Sequence, residues 1–129
     1  MNWENTYRRL QRLRGRELRS ISSKADIRFV SISPHHYVVE TSRCLKTRPT
    51  EELKKAVKAM SLNKPIHVET TVFHGSTSSR SHPETVLAAL PDVEWLKVDG
   101  RKHIVWRGKD SHRLGTLRKS NSRKYSKSS

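Results

Sequence analysis

Ser76 to Gly108 reads STSSRSHPETVLAALPDVEWLKVDGRKHIVWRG, and its punctuation decides the second half of the fold. Ser81, followed three positions later by Glu84, forms a capping box. Pro83 is admissible in the first turn because its missing N–H has no helical partner to lose. A helix is therefore expected to begin near His82, turn Val86, Leu87 and Leu90 toward a core, pack closely at Ala88 and Ala89, and end at Pro91. Asp99-Gly100, set between VEWLKV and RKHIVW, signals a two-residue type I′ turn. That turn places Val98 opposite Arg101, Lys97 opposite Lys102, Trp95 opposite Ile104, and Val93 opposite Trp106. The hairpin thus has a hydrophobic base and a basic tip.

Upstream, TEELKKAVKAM (Thr50–Met60) carries Leu53, Ala56, Val57 and Met60 at i, i+3, i+4 and i+7, the spacing of one helical face. Thr50 is the expected N-cap, and Glu51 and Glu52 complement the helix dipole. Asn63 and Pro65 stop the helix. IHVETTVF from Ile66 has the β-branched content of a strand, with room for a short helix inside it.

Helix, connecting segment, second short helix with a polar entrance, and hairpin with a basic tip: from about Thr50 to Trp106 this layout resembles a winged helix-turn-helix DNA-binding domain. The resemblance implies that a recognition helix approaches DNA by its first turn while the wing touches the backbone. It assigns Ser78, Ser79, Arg80, Ser81 and His82 to the helix mouth, Arg80 being suited to bidentate guanine contact. It assigns Lys97, Arg101 and Lys102 to phosphate contact. SSRSH also occurs in the nucleotide switch of kinesin motors, but no phosphate-cradling G-x-x-x-x-G-K spacing accompanies it.

The first 48 residues follow a different pattern. NWENTYRRLQRLRGREL places Trp3, Tyr7 and Leu10 on one helical face, with Asn2 or Asn5 as cap and Gly15 as terminator. Arg8, Arg9 and Arg12 crowd the remainder and are candidate phosphate ligands. Leu18–Ile21, DIRFVSIS from Asp26 and YVVETS from Tyr37 are short, β-branched and separated by turn residues, as in a three-stranded antiparallel meander. Ile27 and Phe29 fall on one side of the middle strand and Val30 and Ile32 on the other, so it should be central or covered by a helix. The expected fold class is α+β: an N-terminal helix and meander, then a winged-helix-like unit ending in a hairpin. Residues 1–110 would form one basic domain, and 111–129, rich in Lys, Arg and Ser, a flexible basic tail.

Composition narrows the function. Hydrophobic residues make up 33% of the 129 and charged residues 30%, which leaves a small core. Twenty-seven Lys and Arg against 12 Asp and Glu give +15, a surplus that opposes compaction and that a polyanion relieves. Nucleic acid is the expected partner, with duplex DNA favoured, RNA the alternative, and protein partners admissible within a nucleoprotein complex. The absence of any long apolar run argues against a membrane segment or a secreted chain, and points to a cytoplasmic, nucleoid-associated or nuclear setting.

Catalysis finds little support. Asp92, Glu94, Asp99 and Lys102 cluster in sequence, but two residues separate Glu94 from Lys97 where a PD-(D/E)xK nuclease has one; Asp99 serves the turn and Glu94 suits an exposed strand position. His35 and His36 point oppositely if they lie in a strand, and Cys44, the sole cysteine, fits a small buried hydrophobe better than a zinc ligand. The expectation is a non-enzymatic DNA-binding protein with no cofactor or metal. Its affinity would come from phosphate contacts, with limited base reading near residue 82.

Overall fold

The computed structural model describes residues 1–19, 26–41, 44–68 and 81–120, apart from the side chains of Arg19, Asp26, Ser81 and His82. Asn2 accepts the Asn5 backbone N–H at 2.9 Å and opens α1 (Trp3–Gln11) as its N-cap. Four turn residues carry the chain to Gly15, whose positive φ of 80° suits the residue that redirects the chain into a strand.

Strands β1 (Arg16–Arg19), β2 (Asp26–Ile32), β3 (His36–Thr41) and β4 (Cys44–Pro49) pair antiparallel in the order β1-β2-β3-β4. The meander therefore has four strands where three were expected. The fourth, CLKTRP, has one aliphatic side chain and mostly exposed positions, so it joins by backbone pairing, without a hydrophobic alternation to announce it. A bulge between Phe29 and Ser31 changes the expected faces. Because Phe29 faces Val39 and Ile32 faces Tyr37, the extra residue returns Ile32 to the core side, and only Val30 is displaced. Cys44 is exposed on the edge strand, contrary to the buried role expected of it.

Helix α2 (Glu51–Ala59) buries Leu53, Ala56 and Val57, with Met60 just beyond, as its spacing requires. Thr50 is not its side-chain cap: its hydroxyl donates to the Ser33 carbonyl at 2.8 Å and fastens the helix start to the β2–β3 turn. Ile66 exchanges both backbone hydrogen bonds with Ile104, and the backbone turns helical at Val68, the last described residue before 81. Helix α3 (Ser81–Ala88) leads to the hairpin of β5 (Val93–Val98) and β6 (Arg101–Trp106).

Helix α1 contacts β2 and α2, helix α2 contacts β4, and α3 contacts both β1 of the sheet and the two strands of the hairpin. Leu10 and Leu13 from the N-terminal segment, Phe29, Tyr37 and Val39 from the sheet, Leu53 and Val57 from α2, Val86 to Leu90, and Val93 and Ile104 share one core. Helix α3 sits at its centre, touching β1, α2, β5 and β6, and residues 83–90 are buried on every side. Val86 to Leu90 are accordingly apolar without interruption, since a segment with no solvent face needs no polar stripe, and Glu84 and Thr85 are buried polar residues ahead of them.

Residues 111–120, assigned by composition to the flexible tail, are docked. The Trp95 N–H donates to Arg118 O at 3.0 Å and Ser120 N–H donates to Trp95 O at 2.7 Å, adding a parallel bridge along β5. Leu114 and Leu117 pack against the core, and Gly115 N–H reaches Ala89 O at 2.8 Å. Two leucines and a set of backbone hydrogen bonds hold a segment whose charge suggested otherwise. Residues 121–129 of the expected tail lie outside the described residues.

Candidate nucleic-acid interface

The hairpin has the register expected from Asp99-Gly100, pair by pair from Val98–Arg101 to Val93–Trp106. Asp99 has φ 53° and Gly100 φ 78°, the two left-handed residues that a type I′ turn requires. Lys97 and Lys102 consequently face each other across the strands, with Arg101 beside them at the turn. Directly opposed like charges oppose strand pairing, so these lysines do not stabilise the hairpin. Lys97 and Arg101 are exposed and Lys102 partly so; none of the three forms an ion pair among the described residues. Lys119, brought alongside Trp95 by the added bridge, places its Nζ 5.4 Å from the indole centroid, within cation–π range. Lys97, Lys102 and Lys119 thus gather near Trp95. Composition places Lys119 in a tail, and its return to β5 is set by the bridge to Trp95.

Several cations are committed inside the molecule. Arg9, expected to contact phosphate, is paired with Asp92 at 2.7 Å, and Asp92 also accepts the Trp106 indole N–H at 3.0 Å. This arrangement fastens α1 to the base of β5. Arg48 holds both oxygens of buried Glu52, which also accepts the Tyr37 hydroxyl at 2.7 Å. Burial and then the Glu52 carboxylate raise the Tyr37 hydroxyl well above its ordinary pKa, so it remains a donor. Arg107 reaches Glu94 at 3.1 Å, Asn63 at 2.9 Å and Ser120 at 3.0 Å. Glu94 is therefore a buried hub, not the exposed strand residue expected. Burial raises its pKa, but hydrogen bonds from Ser111, Ser120 and Arg107 and the Arg107 charge together leave it below the usual range.

Each of these pairs is close to neutral, so the +15 excess falls on the remaining cations. Arg8 on α1 and Arg12, the residue that caps its C-terminus, are exposed, four positions apart and without an ion pair among the described residues. Of the other assigned contacts, Ser78, Ser79 and Arg80 lie outside the described residues, as do the side chains of Ser81 and His82.

The acids considered for metal chemistry do not converge. Asp92 and Asp99 stand at opposite ends of β5, and Glu94 alternates away from the Lys97–Lys102 side of the hairpin. His36 begins β3 while Cys44 pairs with Thr41 at its far end. Among the described residues, no group of three or more His, Cys, Asp or Glu is placed to hold a metal ion. None of the described helices is long and apolar enough to cross a membrane. Comparison with protein-family models, curated proteins and solved structures finds no match to the chain.

Proposed function

We propose that this chain is a non-enzymatic DNA-binding protein that grips the phosphate backbone through the β5–β6 tip and the outer side of α1. The opposed Lys97–Lys102 pair, with Arg101 beside it on a turn formed by two left-handed residues, carries the proposal. A fold that suffers this repulsion when alone gains when phosphates neutralise it. Lys119 beside Trp95 and the exposed Arg8 and Arg12 supply further cations.

The order α2, the Ile66–Ile104 bridge, the helical start at Val68, α3 and the hairpin supports a winged-helix-like reading of residues 50–106. Burial of residues 83–90 argues against insertion of the body of α3 into a groove. Base reading belongs instead to Ser81 and His82 with the preceding Ser78, Ser79 and Arg80. Electrophoretic mobility shifts over a panel of duplex sequences test this division. Lys102→Ala should weaken all duplexes alike, and Arg80→Ala should narrow the spread among them. Equal losses from both variants, with the spread unchanged, would show that Arg80 reads no base.

A further inference from the structure

Trp3 and Tyr7 stand one turn apart on α1, with ring centroids 6.0 Å apart and planes at 49°. Both are half-buried, and they open onto a cleft of about 220 Å³ completed by Pro34, Thr50, Glu51 and Lys54. Trp3 packs partly on the core, whereas Tyr7 does not belong to the core packing. An aromatic face on an arginine-rich helix is thus left open beside the start of α2.

The volume falls below the roughly 300–1,000 Å³ of sites for drug-sized ligands, so the cleft suits a single planar ring system. Its chemistry suits a nucleobase attached to a strand. The aromatic faces offer stacking, which tolerates every base. Lys54 in the wall, with exposed Lys58 one turn further along α2 and exposed Arg8 next to Tyr7, supplies positive charge for the adjoining phosphates. Glu51 repels phosphate from its side of the cleft, but its carboxylate can accept an N–H from a Watson–Crick edge. A base in a duplex cannot offer that edge or both its faces.

We propose that the α1–α2 cleft stacks one unpaired nucleobase, which makes the preferred partner a nucleic acid with a single-stranded nucleotide beside its bound phosphates. The inference rests on the nucleic-acid-binding function proposed above. The two are separable because an abasic strand keeps the phosphates and removes the bases.

Fluorescence anisotropy with labelled oligothymidylate and an abasic strand of equal length provides the test. The intact chain should bind oligothymidylate about 5- to 100-fold more tightly. Tyr7→Leu, which keeps apolar bulk and removes the ring, should abolish most of that preference and leave abasic affinity unchanged. Thermal melting of the variant checks that it folds, and Lys54→Gln, at a polar wall position, should reduce oligothymidylate binding in a second variant. An oligouridylate arm identifies the sugar, and a base preference lost with Tyr7→Leu on either strand supports the site. Equal binding of the two thymidylate-length strands by the intact chain would overturn the stacking site while leaving phosphate binding in place. A preference that survives Tyr7→Leu, or equal weakening of both strands by it, would also overturn the site. Binding to neither strand while duplex DNA is still bound would overturn the site alone, and binding to no duplex either would remove the underlying function along with it.

Discussion

Replacing Arg9 and its neighbour Arg8 separates an arginine that holds the fold from one available to a partner. Arg9→Ala removes an ion pair of 2.7 Å whose side chains are only 18% and 13% exposed, and leaves Asp92 with the Trp106 indole alone. Unpairing a buried charge costs about 3–5 kcal/mol. Two features lower the figure here: the retained indole hydrogen bond, and Arg9 Nε, which is buried without a hydrogen-bond partner among the described residues and so already carries a penalty. A loss of about 2–3 kcal/mol follows. At roughly 2–8 °C per kcal/mol over the relevant range of domain sizes, the melting temperature should fall by about 5–20 °C. Arg8→Ala, at an exposed position, should stay within about 0.5 kcal/mol of the parent. Thermal and urea unfolding followed by circular dichroism measure both, and a double-mutant cycle with Asp92→Asn isolates the coupling. If Arg9→Ala melts like Arg8→Ala, yet weakens DNA binding equally, the division between structural and binding arginines is wrong.

Glu94 links the fold to pH. Its folded pKa is lowered, so its stabilising contribution is complete above the ordinary glutamate value of 4.5 and is lost as pH falls through the lower folded value. Glu94→Gln should therefore lower stability at neutral pH and flatten the decline below about pH 4.5 in urea-midpoint measurements, whereas an unchanged acid limb would contradict the assignment. Ending the chain at Asp110 removes the Trp95 bridge, the Leu114 and Leu117 contacts and the Ser120 partner of Arg107. Partial exposure of two leucines and loss of hydrogen bonds to buried groups should cost about 2–4 kcal/mol. The measurement belongs at high salt, where the change in net charge is screened; an unaltered urea midpoint would show that 111–120 do not support the domain.

The hairpin was legible because Asp99-Gly100 is a local signal: two residues that tolerate positive φ determine every cross-strand pair down to Val93 and Trp106. Helix α2 was legible for a similar reason, its apolar residues repeating at the period of the structure they form. Nonlocal features were not. Strand β4 depends on an edge offered by β3 and the bridge at Lys119 on an edge offered by β5, and Leu114, Gly115 and Leu117 were the only local hint that the second segment docks. The bulge at Val30 reversed an alternation that was regular on paper.

The site shows the same division. That Lys97, Arg101 and Lys102 share a tip follows from the turn, but the commitment of Arg9 to Asp92 follows from packing across 83 positions of sequence. Composition registers both as positive charge. Only the fold distinguishes an arginine neutralised within the molecule from one that faces solvent.

The most direct test of phosphate gripping is the salt dependence of binding to one duplex, for the intact chain and for the Lys97→Gln/Arg101→Gln/Lys102→Gln variant. With roughly six phosphates engaged by the tip, Lys119, Arg8 and Arg12, log Kobs against log salt should have a slope of about −5, with affinity falling about 10³-fold between about 50 and 200 mM. The triple variant should retain a slope of about −3, each lost contact removing about 1. A slope near zero for the intact chain, or the same slope for both proteins, would contradict the proposed interface.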